Sequence, residues 1–436
     1  MSYALERDRR RLQLRDGARR DPVRYRSDMP KLSDLDIQDD PFAYYSQRLG
    51  DCPVWHEEDV DLYVVGAMVE ARVTLTDSAT FSSAPARRTA GANPVAVAYV
   101  RALAERGWGR AVTLQRTDPP VHTRYRKVLN RVFTPARVRS MVPGIEGIVH
   151  ELIDRFIDTG RCEFVADVAL PLPGIFIAEQ LGLDRSQYKT FRRWAEAMLC
   201  LANRPHMTME EAMAEVEVEL EAQHYLAAEC ERRRAQPGDD LISLIVHAHA
   251  DSEPFTMNEL QDLMHQLVTG GFETTTGGLA TAMHLLATHQ DQQALLRSRP
   301  ELLANFIEEA LRFDSPVQGL WRTSTCPASI AGVEIPGGSS VMVRYGAANR
   351  DPGIFTGPDR FDITRENANQ HIAFGLGTHF CLGAALARQE MTSAFEILLG
   401  RTEHIELDGD APQPLHDPSF FLRPMKALPI RFTPRS

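Results

Sequence analysis

The chain lacks the cysteine arrangements that mark most metal and redox sites. Its six cysteines are scattered over 436 residues, and the closest two, Cys200 and Cys230, are far apart in the sequence. No pair has the short spacing of zinc sites, iron–sulfur clusters or covalently attached c-type haem. We therefore expect reduced thiols in a cytoplasm rather than a disulfide framework.

Long apolar runs and an excess of positive charge are also absent. No stretch of about 18 apolar residues occurs, so the sequence predicts no membrane-spanning helix. A net charge of -11 argues against nucleic-acid binding by the chain as a whole. Positive charge is concentrated in the first 26 residues, which contain nine arginines and only four acidic residues. Because this segment has no apolar core like that of a secretory signal, we expect residues 1–34 to form a mobile, solvated arm, with a targeting or docking arm as the alternative.

Helical periodicity is abundant. Apolar residues recur every three or four positions through 137–160 and 208–236, and Gly160 and Pro237 end these segments. Short alternating patterns at 62–66, 329–346 and 420–432 are typical of strands. The sequence predicts a mainly α fold with a minor β part, organised as one domain over residues 35–436.

Cys381 lies in an unusual setting, the segment HIAFGLGTHFCLG. Strong helix formers follow it, so the thiol is expected at a helix N-terminus, where free N–H groups and the helix dipole stabilise a thiolate. Gly375 and Gly377 allow a tight turn, and Gly383 lets a flat group approach the helix backbone. The pattern indicates a thiolate bound to a metal in a flat macrocycle; a buried cysteine beside a glycine turn is the alternative.

The segment 258–289 keeps one apolar stripe for more than 25 residues, which predicts a helix long enough to cross the molecule. Its centre, GGFETTTGG, is rich in poor helix formers. Glycine, together with hydrogen bonds from threonine hydroxyls to the helix backbone, could open the helix and leave a groove there. Glu273 and Thr274 would lie at this groove; a kink with an exposed acid is the alternative.

Three further motifs are weak when taken alone. Glu309 and Arg312 have the spacing of an ordinary surface ion pair. His122 and Arg126 lie one turn apart and could clamp a carboxylate, although a solvated basic helix has the same pattern. Arg322 opens a strand-like run and by itself indicates almost nothing.

Together these pieces resemble the soluble bacterial cytochromes P-450, the haem-thiolate monooxygenases. AFGLGTHFCLG is similar to the family's haem loop, GGFETT to its oxygen-activation segment, EALR to its E-x-x-R helix and AANRDPGIFTGPDRFDITR to its meander. The resemblance covers roughly residues 35–432, in the expected order. It implies the cytochrome P-450 fold, with haem b between a long distal helix and the helix that follows the cysteine loop.

The resemblance also implies residue roles. Cys381 would be the iron ligand, with Phe374 packed on the thiolate side and Gly383 beside the haem. Glu273 and Thr274 would form the acid–alcohol pair that handles protons. The haem propionates would be held by His122, Arg126, Arg322 and His379. Glu309 and Arg312 would form a buried pair with Arg360 as the third member, an assignment that the nearby Arg365 leaves open.

The implied reaction inserts one atom of O2 into an apolar small molecule by hydroxylation or epoxidation. Electrons would come from NAD(P)H through a separate reductase and ferredoxin, which would dock on a basic face formed by Arg124, Lys127, Arg131 and Arg388. We expect a cytoplasmic monomer with no nucleic-acid or membrane partner. A peroxide-driven peroxygenase and a non-catalytic haem-thiolate sensor are the alternatives.

In family terms the substrate pocket would draw on 82–117, about 195–205, 267–274, 317–320 and 420–422. These stretches are mostly apolar with few charges deep in the pattern, so a terpenoid, aromatic, fatty or steroid substrate is expected, and a substrate tethered to a carrier protein stays open. The pocket residues singled out are Leu267, Gly270, Val317, Leu320, Phe420 and Phe421.

Overall fold

The computed structural model describes residues 30–85, 93–204, 207–250 and 253–435. Most of the Arg-rich arm, and part of the predicted pocket segment 82–117, lie outside the described residues. Two compact units are formed. The first comprises the described residues before position 89 with Glu308–Cys381 and His416–Arg423, and the second those of Thr89–Ile307, Leu382–Leu415 and Pro424–Ser436. The single domain over 35–436 stays a prediction.

Helices dominate the described chain, as predicted. In order they are α1 (Leu35–Asp39), α2 (Phe42–Asp51), α3 (Met68–Thr76), α4 (Pro94–Arg106), α5 (Val121–Leu129), α6 (Pro135–Asp154), α7 (Pro171–Gln180), α8 (Tyr188–Asn203), α9 (Met209–Ala235), α10 (Leu241–Val246), α11 (Met257–Thr288), α12 (Gln290–Ser298), α13 (Leu303–Phe313), α14 (Tyr345–Ala348) and α15 (Ala384–Arg401). The periodic segments 137–160 and 208–236 correspond to α6 and α9, so their helical prediction is confirmed. Within the described ranges, no helix is long and apolar enough to cross a membrane.

The strands of the described chain are short, none longer than six residues. They are β1 (Val54–Glu57), β2 (Leu62–Val65), β3 (Phe81–Ser82), β4 (Arg161–Glu163), β5 (His249–Ala250), β6 (Glu253–Pro254), β7 (Leu320–Ser324), β8 (Ala328–Ile330), β9 (Val333–Ile335), β10 (Ser340–Val343), β11 (Thr402–Leu407), β12 (Leu415–His416), β13 (Met425–Ala427) and β14 (Pro429–Pro434). The predicted hairpin within 329–346 is formed by β8 and β9.

The first unit is built on a five-stranded sheet in the order β1-β2-β10-β7-β3. β10 runs parallel to β2 and antiparallel to β7, with Val341 opposite Arg322. β-branched residues suit these strands because they pack well on a pleated, half-buried surface. Val54, Val65 and Val343 pack into one apolar cluster with Phe355. The sheet thereby fixes the position of Arg322.

The second unit is built around α11, a helix of 32 residues that spans roughly 48 Å at about 1.5 Å per residue. Thr256 and Glu259 form a capping box at its start, which satisfies backbone N–H groups that have no partner within the helix. Leu263 and Phe272 pack with Trp194 in the main apolar cluster of this unit. A three-stranded sheet in the order β11-β14-β4 completes the unit.

Candidate active site

Cys381 ends a tightly turned loop in the first unit. Its backbone N–H donates to the carbonyl oxygen of Phe374 at 2.9 Å, and Gly375 and Gly377 adopt φ values of +70° and +73°. A Cβ atom at Gly377 would lie 3.1 Å from the backbone oxygen of Leu75, so both backbone conformation and space favour glycine. The thiol is exposed, and α15 begins three residues later. The predicted placement of Cys381 just before a helix N-terminus is confirmed.

Arg322 is a buried cation whose charge has no acidic partner among the described residues. It is 6% exposed, and its Nη1 donates to the carbonyl oxygen of the adjacent Trp321 at 2.8 Å. Because a buried charge is costly unless it is paired, this environment favours an anionic ligand.

Tyr345 connects this cation to the cysteine within the first unit. Burial raises the pKa of the Tyr345 phenol to about 12, with Arg322 opposing the rise and Cys381 adding to it. Both charged groups are therefore close enough to act on one buried phenol. His379 lies in the same loop as Cys381, in the turn Gly377–His379. A thiol, a buried guanidinium and an imidazole within the first unit fit an iron porphyrin with two carboxylates.

His122 and Arg126 belong to the second unit. Both lie on α5, and His122 is buried. Burial, followed by the neighbouring Arg126, lowers the pKa of His122. The imidazole is therefore neutral at pH 7 and can donate one hydrogen bond. The predicted carboxylate clamp thus consists of one neutral and one cationic donor.

The centre of α11 has an open face in an otherwise buried helix. Gly270 is exposed, Glu273 and Thr274 are half-buried, and the residues from 261 to 269 are buried. A Cβ atom at Gly270 would have nothing within 4 Å, whereas the Thr274 hydroxyl donates to the carbonyl oxygen of Gly270 at 2.6 Å. The helix continues without interruption through this point. The helix backbone is therefore exposed at Gly270, but the expected opening of the helix does not occur.

The E-x-x-R pair is buried, and the prediction of its third member is wrong. Arg312 donates from Nε and Nη2 to Glu309 at 2.7 and 2.9 Å, and both side chains are 0% exposed. The third member is Arg365, whose Nε lies 3.1 Å from both carboxylate oxygens of Glu309. The Arg360 side chain is 75% exposed and pairs with Asp362. Arg360 contributes only its carbonyl oxygen, which accepts from Arg365 at 2.9 Å.

Comparison with known proteins identifies this site. The family model described as cytochrome P-450 matches residues 184–432, which is more than half of the chain. The chain belongs to the cytochrome P-450 family. Members bind haem b through a proximal cysteine and act as monooxygenases, and Cys381 and Arg322 of the first unit fit that group. This P-450 is therefore a haem-dependent monooxygenase.

Bacterial hydroxylases are among its relatives. The chain is 36% identical over 85% of its length to 6-deoxyerythronolide B hydroxylase of Saccharopolyspora erythraea, covering 90% of that protein. It is 35% identical over 73% of its length to steroid C26-monooxygenase of Mycobacterium tuberculosis, covering 85% of that relative. Among solved structures, CYP109Q5 from Chondromyces apiculatus matches with a TM-score of 0.79 and 30% identity, over 93% of this chain and 99% of that one.

The predicted pocket residues of this P-450 are divided between the units. In the first unit the segments 317–320 and 420–422 lie side by side, because Gln318 N–H donates to the carbonyl oxygen of Phe421 at 2.9 Å and Val317 bridges to Leu422. Leu320 lies in β7, and the indole of Trp321 packs against the rings of Phe420 and Phe421. Leu267 and Gly270 lie on α11 in the second unit.

Sequence reasoning missed two features of the P-450 site. Tyr345 follows a strand without any motif, so nothing in the sequence marked its place beside Cys381. The other is a pair of half-buried arginines in the segment 82–117, Arg110 and Arg116, which reach buried acids on α9 and α11. Arg110 pairs with the buried Glu219 at 2.7 Å, and Arg116 Nη1 lies 3.7 Å from the buried Asp262.

The predicted docking face also needs one correction. Arg124 Nη1 pairs with Glu259 Oε1 at 2.5 Å, and its guanidinium lies over the Tyr125 and Phe255 rings. This side chain therefore has a structural role inside the second unit. Lys127 and Arg131 are exposed and Arg388 is half-buried.

Proposed function

We propose that this P-450 inserts one atom of O2 into a largely apolar small molecule, using NAD(P)H electrons from a separate ferredoxin-type protein, as a cytoplasmic monomer. The main support is that the exposed Cys381 and the Arg322 cation both lie close enough to the buried phenol of Tyr345 to shift its pKa. When bound, haem b supplies O2 activation and the oxidation of an unreactive carbon.

The chain's own residues would hold that group and manage protons. In this proposal Cys381 ligates the iron and Phe374 packs beside the thiolate. Gly383 leaves room at the start of α15. The propionates are bound by His122, Arg126, Arg322 and His379. Each of these four side chains is a hydrogen-bond donor, and arginine suits carboxylates because its planar donors match both oxygens.

Thr274 and Glu273 would deliver protons at the open face of α11. The hydroxyl hydrogen of Thr274 is used by Gly270 O, so its oxygen presents lone pairs to the open side and can accept from a water molecule. The half-buried Glu273 adjoins it and can exchange protons with solvent. In this proposal the two side chains pass protons from solvent to the haem.

The test of this path measures product formed per NAD(P)H consumed. Thr274→Ala is expected to keep substrate binding but divert electrons to hydrogen peroxide, and Glu273→Gln to slow turnover and enlarge the solvent isotope effect. Thr276→Ala is the matched control, because Thr276 makes the same kind of bond, to Phe272 O at 3.0 Å. Full coupling at wild-type rates in both site variants would place the proton path elsewhere.

Lys127 and Arg131 would form the docking face for the electron donor. A local positive patch on a protein of net charge -11 would orient an acidic ferredoxin and raise its association rate. The double reversal Lys127→Glu with Arg131→Glu should abolish most of the salt dependence of reduction measured by stopped flow. Arg101→Glu, a reversal at another exposed arginine, is the control. An unchanged rate and salt slope in the double variant would refute this docking face.

A further inference from the structure

A small cavity inside the second unit is lined by polar side chains. It lies between the loop 108–110, α8, α9 and α11, and its lining includes Trp108, Arg110, Glu219, Asp262 and His265. The loop belongs to the segment expected to contribute to the substrate pocket. The cavity therefore bears on which substrate the proposed monooxygenase accepts.

The loop side of the cavity is held by direct hydrogen bonds. The backbone of Trp108 donates to Gln223 Oε1 at 2.9 Å and accepts from Gln223 Nε2 at 3.1 Å. Asn258 donates to the carbonyl oxygen of Gly109 at 3.0 Å. Glu219 accepts from Arg110 at 2.9 Å and from the Tyr99 hydroxyl at 2.6 Å. These hydrogen bonds, made by residues of α4, α9 and α11, fix the positions of the loop 108–110 and of Glu219 at the cavity.

Asp262 contributes one hydrogen-bond acceptor that the described residues leave unused. Its Oδ2 accepts from the Thr113 hydroxyl and, at 2.8 Å, from Gln266 Nε2. Its Oδ1 accepts no hydrogen bond, because the nearest cation, Arg116 Nη1, is 3.7 Å away. Asp262 is only 3% exposed. A buried carboxylate oxygen without a donor is costly, so the cavity favours a ligand that supplies one.

His265 contributes a second unused acceptor one turn along the same face of α11. Burial, followed by Arg110 and Arg116, lowers the pKa of His265 well below its usual value, so the imidazole is neutral. Its Nε2 lies 3.3 Å from the carbonyl oxygen of Met198, which assigns the proton to Nε2. Nδ1 is then a lone-pair acceptor, and it has no donor among the described residues. His265 is 4% exposed.

The charges around the cavity favour a neutral ligand group. Arg110 and Arg116 balance Glu219 and Asp262, and His265 is uncharged. A cation would be repelled by the two arginines, whereas an anion would be repelled by the Asp262 carboxylate, whose Oδ1 accepts no hydrogen bond. We propose that the cavity is a substrate subsite for an uncharged hydrogen-bond donor, a hydroxyl group on an otherwise apolar molecule. This inference rests on the proposed monooxygenase function and refines its substrate class.

The test compares apolar alcohols with their methyl ethers, which accept but cannot donate. Pairs such as cyclododecanol and methoxycyclododecane, on several ring sizes, are titrated into the haem-loaded enzyme by calorimetry and by the iron spin-state change. Because a hydrogen bond to a charged acceptor is worth more than a neutral one, the alcohols should bind about tenfold more tightly or better.

Asp262→Asn should remove this preference. The amide oxygen can keep the bonds from Thr113 and Gln266, while the amide nitrogen replaces the unused acceptor with a donor. His265→Phe removes the second acceptor and should also reduce the ratio. Thr281→Val is the matched control and should leave the ratio unchanged, because Thr281 is a buried residue of α11 whose hydroxyl lacks a hydrogen-bond partner among the described residues and it does not line the cavity.

Two outcomes would overturn the subsite. One is that no alcohol in the series binds more tightly than its ether, or that neither compound of any pair binds. Either result would mean that the cavity holds only water. The other is an alcohol preference that survives in both site variants. Failure of the proposed function is seen separately, as the absence of a haem-thiolate spectrum in the same preparations.

Discussion

The buried cluster around Glu309 gives a quantitative prediction about Arg365. Replacing Arg365 by alanine removes two contacts to the Glu309 carboxylate at 3.1 Å. It also removes bonds to the carbonyl oxygens of Thr356, Gly357 and Arg360 at 2.8, 3.1 and 2.9 Å. Arg312 still neutralises Glu309, so the cost should lie at the lower end of the range for broken buried pairs. We expect a loss of about 3 kcal/mol in the free energy of unfolding.

Arg360→Ala is the matched control from the same segment. Its guanidinium is 75% exposed and, within the part of the chain that the structure describes, pairs only with Asp362 at 2.6 Å, so the loss should be about 0–1 kcal/mol. Arg365→Lys should behave like the alanine variant, since an ammonium cannot reproduce the planar set of donors. Urea denaturation of the haem-loaded protein, followed by circular dichroism, compares the midpoints. Equal destabilisation by Arg365→Ala and Arg360→Ala would refute the assignment of Arg365.

Two further predictions concern a buried acid and a glycine turn. Burial raises the pKa of Glu390 to about 8. Between about pH 4.5 and pH 8 the folded protein therefore keeps a proton that the unfolded chain has released. Because of this difference, the contribution of Glu390 to stability falls as the pH rises through that range. Glu390→Gln, compared with wild type by denaturation at pH 5 and pH 8, should gain up to about 4 kcal/mol in relative stability across that window, since each pH unit is worth about 1.4 kcal/mol; a gap that does not grow with pH would contradict this. Gly377→Ala should destabilise the protein by about 1–3 kcal/mol because Gly377 has a φ of +73°. Gly409→Ala is the control and should have little effect, because nothing lies within 4 Å of the added carbon. Equal losses of stability in the two variants, measured by thermal denaturation, would contradict this reasoning.

The features that the sequence predicted well depend on local patterns. The glycines and helix formers around Cys381 are enough to place it before a helix, and the apolar stripe is enough to predict α11. Arg360 and Arg365 are a different case, because both lie in the same irregular segment and only the folded path decides which one is buried. The sequence could not distinguish them.

Other features were hidden because they depend on contacts between distant segments. Arg124 pairs with Glu259, 135 positions away, so it could not be separated from the exposed Lys127 on the same helix. Asp262 and His265 lie within an apolar stripe of α11, and their unused acceptors form a site only because the distant loop 108–110 packs beside them. The sequence predicted an opening of α11 near Gly270 that does not occur, because glycine there removes side-chain bulk without breaking the helix.

The most direct test of haem-thiolate ligation is the spectrum of the reduced, carbon monoxide-bound protein. The wild-type enzyme should show the red-shifted Soret band of a thiolate ligand, and Cys381→Ser should lose it while haem content, measured independently, stays detectable. Cys326→Ser is the control, because Cys326 is exposed and forms no disulfide but lies outside the loop, and it should keep the band. A red-shifted band that persists in Cys381→Ser would contradict the account.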